Sequence, residues 1–409
     1  MKLTRSLIFV IGASLMLILA ACGGAQSGPA DCGGETGASD EGGLSVPEAI
    51  EGCYNVGFVY IGPHDDGGWT QAHDLGRQYV QENVEGVHTA YVELVPEGAD
   101  AEQVIRSLAR KNFDVIFTTS FGYMDASEAV ANEFPDVDII HVSGFKSNEE
   151  NFGNLFGAME TMKYINGMIA GSRAMADGNP KLGYMPTFPI PEELRLGNAF
   201  ALGAAVTCPD CTIDIRWIGS WHDPILEQDA AKSLFDSGAQ VVMNGADTQA
   251  AAQAAPEGKW GVNYNYINAC GNEKCLTSAY WNWGVVYADI VEKSKAGEWT
   301  GGWEYFDADA GAMGLWGLEE GQELTAGMAG LPEADLEMIR DVHAKALAGE
   351  FDRFDVFAGP ITDNQGNQIL AEGESLEQID LDGFAQFGSP CGTCMYWWNE
   401  NFNAELPDL

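Results

Sequence analysis

The chain has 409 residues, 46% of them hydrophobic, and carries 61 acidic against 20 basic side chains for a formal net charge of -41. A surface of that sign repels a polyanion and no basic stripe offsets it, so nucleic acid is excluded as a partner; the charge fits solubility or a saline habitat instead. Length alone suggests ~2 to 3 domains with material for sizeable cores, and a two-lobed protein is the natural expectation.

Met1 to Cys22 opens with Lys2 and Arg5, runs through the apolar stretch Leu7 to Leu19, and closes on Leu19-Ala20-Ala21-Cys22. The apolar core is short for a spanning helix and small residues precede the cysteine, which predicts an export signal over residues 1–21, removed by lipoprotein cleavage. Cys22 is then the expected lipidated N-terminus. Two or more acyl chains on it would hold the protein at the cell membrane, facing the periplasm or the exterior. Gly23 to Pro47 is rich in Gly, Ala, Ser and acid and has no aromatic residue, so residues 22–53 read as a flexible tether.

Nine cysteines become an even number once Cys22 is lipidated, in a chain that leaves the reducing cytoplasm. Cys208 with Cys211, Cys270 with Cys275 and Cys391 with Cys394 are close pairs, and Cys32 and Cys53 bracket the tether. Local disulfides are the simplest connectivity. The two CxxC units are also compatible with a four-thiolate zinc site or a redox motif, but oxidation competes for exported thiols.

The folded part opens with Val56 to Arg77, VGFVYIGPHDDGGWTQAHDLGR. A short apolar run suits a parallel strand buried on both faces. Gly62 and Pro63 stop it, and Trp69 follows a polar loop containing Asp66, where a helix should begin. Ligands of open α/β sheets bind at such strand ends. Strands are expected at Val87 to Val95, Phe113 to Thr119 and Val137 to Val142, with helices at Ala101 to Arg110 and Ala126 to Phe134. The alternation implies a parallel sheet flanked by helices. Tyr123 and Asp125 lie at the third strand's carboxyl edge. Asp125 is a candidate for the same cleft or, equally, an N-cap.

A second round begins with the helix Glu160 to Met175, whose Gly167 and Gly171 permit close packing. Strands are expected at Lys181 to Met185, Ile213 to Gly219 and Gln240 to Asn244, and helices at Pro189 to Val206 and Asp223 to Asp236. Ser220-Trp221-His222-Asp223-Pro224, Gly245-Ala246-Asp247-Thr248 and Gly261-Val262-Asn263-Tyr264-Asn265 sit at the strand ends. The aromatic run Tyr280-Trp281-Asn282-Trp283 leads into a helix ending near Ala296. Leu331 to Ala348 reads as helical, and Phe357 to Gly366 as a hairpin. The first lobe is thus expected over 54–158, completed by about 280–320, and the second over 159–279, completed by about 321–390, with a C-terminal extension at 391–409.

From about Tyr54 to Gly388 the chain resembles the basic membrane protein family of lipoproteins, substrate-binding components of ABC importers related to a bacterial purine nucleoside receptor. The marks are Gly57-Phe58-Val59, Asp66-Gly67-Gly68-Trp69-Thr70, Thr119-Ser120-Phe121-Gly122, Gly167-Met168-Ile169-Ala170-Gly171, Pro189-Ile190-Pro191 before Asn198-Ala199-Phe200-Ala201-Leu202-Gly203, and Gly219-Ser220-Trp221-His222-Asp223-Pro224. The resemblance implies a type I periplasmic-binding-protein architecture, two Rossmann-like α/β lobes joined by a multi-strand hinge. It also implies ABC permease and ATPase subunits as partners, and no cofactor.

In nucleoside-binding relatives two aromatic rings sandwich the purine, an Asn and an Asp read it, and carboxylates and a Lys hold the ribose. Trp69 and Trp221 match the sandwich, Thr70 stands at the Asn, and Asp125 matches the base-reading Asp. Tyr60 replaces a ribose-binding Asp, Asn263 or Asn265 a later one, and Trp281 the Lys. The resemblance therefore implies a site for a free purine base or similar flat heterocycle, with nucleoside or sugar as the runner-up. His64, His73 and His222 are too loosely spaced for a metal site. A secreted nucleoside-acting enzyme is disfavoured, because the chain has no GxSxG, HExxH or GxxxxGK. A sensory lipoprotein would have the same sequence features.

The lipid anchor yields a direct test. Cys22→Ser should shift the protein from the membrane to the soluble fraction on cell fractionation, and an unchanged membrane fraction would refute anchoring through Cys22.

Overall fold

The computed structural model describes residues 31–33, 36–38, 45–383 and 392–406. The export signal, Cys22 and Cys391 lie outside the described residues. Among the described residues no helix is long and apolar enough to cross a membrane.

Two sheets carry the molecule. The first has seven strands: β1 (Thr36–Ala38), β2 (Tyr54–Val59), β3 (Val87–Val92), β4 (Val115–Thr118), β5 (Asp138–Val142), β6 (Phe152–Gly157) and, from far along the chain, β12 (Gly302–Phe306). They lie in the order β1-β3-β2-β4-β5-β6-β12, and every pairing is parallel. The second has six strands: β7 (Lys181–Met185), β8 (Thr212–Ile215), β9 (Val241–Asn244), β10 (Trp260–Asn265), β11 (Cys275–Trp281) and β13 (Met313–Leu315), in the order β13-β11-β10-β9-β7-β8. Only β13 runs antiparallel. Parallel strands covered on both faces need apolar side chains at successive positions. Val56, Phe58 and Val59 of β2 and the whole of β4 are accordingly buried.

Helices α1 (Trp69–Asn83), α2 (Ala99–Arg110) and α3 (Met124–Glu133) flank the first sheet, with α8 (Trp283–Lys295) packed on α1. Helices α4 (Glu160–Ala176), α5 (Pro191–Thr207), α6 (Pro224–Asp236), α7 (Ala250–Ala254) and α9 (Glu333–Leu347) belong to the second. The chain therefore passes between lobes after Gly157, again at Asn282, and a third time between Phe306 and Met313. Short helices α10 (Arg353–Val356) and α11 (Gln378–Leu381) and a hairpin of β14 (Ile361–Thr362) and β15 (Gln368–Leu370) follow. The tail then returns to the second lobe. There Asn198 donates to the Trp397 carbonyl at 2.8 Å, and Phe402 bridges Ile213 at the open edge of β8.

The structure departs from the sequence expectations at several points. Within the expected tether, β1 pairs with the outer edge of β3, and Cys32 is disulfide-bonded to Cys53. An exposed parallel edge leaves a row of backbone groups without partners, and a short strand covers them. Tyr280 and Trp281 belong to strand β11, and Gly261 to Asn265 form β10 itself rather than a loop after a strand. The cysteines, by contrast, are as expected: Cys208–Cys211 and Cys270–Cys275 are disulfides, and Cys394 is disulfide-bonded.

Helices α4 and α5 make the closest approach in the second lobe. A Cβ on Gly203 would lie 1.8 Å from the Tyr164 carbonyl oxygen, and one on Gly167 would lie 2.0 Å from that of Phe200. Both contacts are with backbone, which cannot swing aside. Gly203→Ala should therefore destabilise by about 1–3 kcal/mol, the usual range for overpacking, although alanine is the better helix former. Urea unfolding measures this, and an unchanged or raised midpoint would contradict the packing.

Candidate ligand-binding cleft

The carboxyl ends of both sheets face one another, and the cavity between them is lined from both lobes. Ile61, Trp69, Ser120, Phe121 and Ser143 come from the first lobe, and Glu192, Glu193, Trp221, Gly245, Asp247, Tyr264 and Asn265 from the second. The empty space is about 380 Å³ counted to its open mouth. The groups sit on the last two residues of a strand, in the loop after it or at the start of the helix that follows, where loops and helix N-termini converge in open α/β sheets.

Trp69 is the first residue of α1, and its indole N–H donates to the Thr119 carbonyl at 2.8 Å. Its ring meets His73, Trp281 and Trp283 edge-on, with centroids at 4.3, 6.3 and 5.7 Å. Trp281 and Trp283 are themselves stacked at 4.5 Å. The indole is thus fixed in orientation while still lining the cavity. Trp221 enters from the opposite lobe with its ring edge-on to Phe188 at 4.8 Å.

Asp247 is the polar centre. It is 5% exposed, its Oδ1 accepts from the Asn265 amide at 3.3 Å, and its Oδ2 has no partner. Burial, and then the charges of Asp66, Glu227, Glu193 and Glu192, hold its carboxyl well above the ordinary value. Beside it, burial raises Asp66, while the N–H groups of Gln71, Gly68 and Thr70 pull it back by donating at 2.9, 2.8 and 3.0 Å. Glu193 accepts from the Tyr184 and Thr187 hydroxyls at 2.5 and 2.8 Å and is raised by burial. Glu192 is pushed up to about 8 by burial, opposed by Arg195.

The nearest ammonium is withheld. Lys163 lies 3.3 Å from the centroid of Tyr264, donates to the Asn244 carbonyl at 3.2 Å, and is lowered by burial. Asp66, His222 and Asp247 can each offer an atom within 4.8 Å of the others. They are the carboxylate and imidazole groups that would be called on to hold a divalent cation, although Asp66 already accepts three backbone hydrogen bonds.

Of the residues expected at the site, Trp69, Trp221 and Asn265 line the cavity. Asp66 and Thr70 shape its loop, since the Thr70 hydroxyl accepts from the Gly62 N–H at 3.2 Å. Trp281 stands behind, its indole N–H donating to Asn265 Oδ1 at 3.1 Å. The others are elsewhere. Asp125 is not at the base-reading position: its side chain is 83% exposed and pairs with Lys146 at 2.9 Å, because the first turn of α3 points it outward. It is no N-cap either, since α3 starts at Met124. Tyr60 is buried and donates to Asp74 at 3.3 Å, Tyr123 donates to the Val95 carbonyl at 2.5 Å, and Asn263 is tied to Ala252 and Ala269. Glu192 and Glu193 were not foreseen, although Pro191 before them marks the helix start. Asp247 and Tyr264 were visible only as polar and aromatic groups at strand ends.

The comparisons agree with this geometry. The family model for Bmp, ABC transporter substrate-binding protein PnrA-like, matches residues 53–325. The chain is 34% identical over 301 residues to a purine-binding protein of Brucella abortus, covering 73% of this chain and 81% of that one. It is 33% identical over 326 residues to a protein of Haloferax volcanii provisionally named an ABC transporter glucose-binding protein, covering 78% and 81%. A solved ABC transporter solute-binding protein from Aeropyrum pernix superposes with a TM-score of 0.62 at 17% identity, over 72% of this chain and 92% of that one, and shares the fold. The chain belongs to the Bmp family of PnrA-like ABC transporter substrate-binding proteins, which work outside the cytoplasm and bind a small molecule for permease and ATPase subunits.

Proposed function

We propose that the protein is the lipid-anchored receptor of an ABC importer and that it closes on a purine nucleobase or a similar flat heterocycle. The observation that carries this reading is that two indoles from opposite lobes, Trp69 and Trp221, line the same cavity beside a buried carboxylate oxygen without a partner. A planar ring gains about 0.5–1.5 kcal/mol per aromatic pair beyond area burial. Asp247 takes the base-reading role given above to Asp125: its free Oδ2 accepts from a ring N–H or an exocyclic amino group. Trp281, buried behind the cavity and hydrogen-bonded to the lining Asn265, stands at the position where the family resemblance puts a ribose-binding Lys, and its apolar ring in that place favours the free base over its nucleoside. The relative named for purine binding supports the same ligand class.

A second reading, a neutral sugar, is favoured by the Haloferax relative and by the number of acceptors that hydroxyl groups could meet. Calorimetry with adenine, guanine, hypoxanthine, their nucleosides and glucose separates the two. Tighter nucleoside than base binding would overturn the ribose argument, and no purine binding at all would overturn the purine reading. Trp69→Ala should cost on the order of 2–4 kcal/mol of binding, ~30- to 900-fold. A loss of less than about threefold would remove Trp69 from the site.

The acidic cleft also leaves a signature in stability. Glu192 titrates at about 8 in the folded chain against an ordinary value of 4.5, so folding favours its protonated form. Its contribution is fully present below the ordinary value and is lost as pH rises through about 8. Glu192→Gln should therefore match the parent in acid and become progressively the more stable protein toward alkaline pH. Parallel melting curves across that window measure this, and a constant offset would contradict the assignment.

A further inference from the structure

The strand ends of an open α/β protein are the usual place to bind an anion, because helix N-termini bring free N–H groups and positive dipole ends there. Around this cleft the chain's own carboxylates occupy those junctions one after another, and Glu192, Glu193 and Asp247 line the cavity itself. After β2, Asp66 accepts from the N–H groups of Gly68, Thr70 and Gln71. After β4, Glu97 accepts from the Gly122 N–H at 2.9 Å and from the Ser120 hydroxyl at 2.7 Å. After β7, Glu192 and Glu193 fill the first turn of α5. After β8, Asp223 caps the Ile225 and Leu226 N–H groups, both at 3.0 Å. After β9, Glu227 accepts from the Thr248 N–H at 2.9 Å.

No lysine or arginine is among the described residues lining the cavity. The cations near it are engaged: Lys163 lies behind the Tyr264 ring, and Arg195 pairs with Glu160 at 2.6 Å. An independent observation gives the sign of the missing partner. Asp247 Oδ2, buried and lining the cavity, has no hydrogen-bond partner, and in the ionised form that a donor would stabilise it can only accept.

We infer that the cleft admits only neutral or cationic molecules that present hydrogen-bond donors, and refuses phosphorylated or otherwise anionic forms of the same solutes. For a purine this rests on the reading above and narrows it to uncharged bases with N–H or amino edges, with nucleotides and urate turned away. The restriction comes from the protein's own charges and holds equally for a sugar.

The test is calorimetry on the purified protein with ligand pairs that differ in charge: adenosine against adenosine 5′-monophosphate, hypoxanthine against urate, and glucose against glucose 6-phosphate. The neutral member of whichever pair binds should bind at least on the order of 100-fold more tightly, as expected for a charge brought beside buried carboxylates. Asp247→Asn, which keeps an oxygen for Asn265, should narrow that gap by on the order of 10-fold in a protein with unchanged cooperative melting. If adenosine 5′-monophosphate or urate binds as tightly as its neutral partner, the exclusion is wrong while the purine reading stands. If only glucose binds and its phosphate does not, the purine reading falls while the exclusion stands. Binding of no neutral member overturns both.

Discussion

Where the lobes meet, Gly68 packs against the backbone of Asp247 so closely that a Cβ on it would lie 1.6 Å from the Asp247 carbonyl oxygen. The atom it would strike is backbone, on a segment pinned by β9, so no side chain can relieve the clash. That contact sets the geometry of the cleft. It brings Asp66 of one lobe and Asp247 of the other to the same place and leaves both poorly hydrated. Burial there, and then the charge of Asp66 beside it, raise the carboxyl of Asp247. Without the glycine the lobes would stand further apart, and water would screen the charges.

A polar network lies beside the crossings between the lobes. Next to the first and third crossings, the Tyr305 hydroxyl on β12 donates to Glu160, at the start of α4, at 3.1 Å. Glu160 also pairs with Arg195 at 2.6 Å. The Arg353 guanidinium lies 4.5 Å from the Tyr305 ring centroid and donates to Gln378 at 2.7 Å. Buried charges without partners are costly, whereas this network supplies them. Arg353, Gln378 and Asp382, whose carboxylate lies 3.8 Å from the Arg195 guanidinium, are beyond residue 325, where the family match ends. The C-terminal part of this chain therefore braces the hinge as well as covering the second lobe.

Much of this was legible in the sequence, for physical reasons that differ from residue to residue. The run from Val56 to Tyr60 announced a doubly covered strand because burial on both faces erases polar alternation. Trp69 and Trp221 stood out because an indole in a polar strand-end loop has few structural uses. Asp125 was misread because its position along the chain is close to the cleft, but one step into a helical turn rotates a side chain by about 100°. Glu192 and Glu193 were passed over since acid in a helix's first turn is ordinary dipole compensation. Only the placement of the α5 N-terminus at the cleft makes them line a cavity. Thr36 to Ala38 read as tether because three residues cannot signal a strand when the ladder they join is supplied by another segment.

If the lobes close on a ligand as proposed, closure and protonation are coupled by the same contact. In an open form Asp247 and Glu192 would be hydrated and ionised. On closing, both are held above their ordinary values by burial, so an empty cleft must either take up protons or enclose uncompensated charge. A ligand that donates hydrogen bonds offers a third course, since an N–H aimed at Asp247 Oδ2 stabilises the ionised carboxylate and removes the need for the proton. Closing on such a ligand is then easier than closing empty. An anion adds to the charge being enclosed even where it also carries donors, so it would oppose closure by the same physics. On the function proposed above, such a receptor would distinguish its loaded form from its empty one through the carboxylates, with the two indoles selecting among neutral molecules.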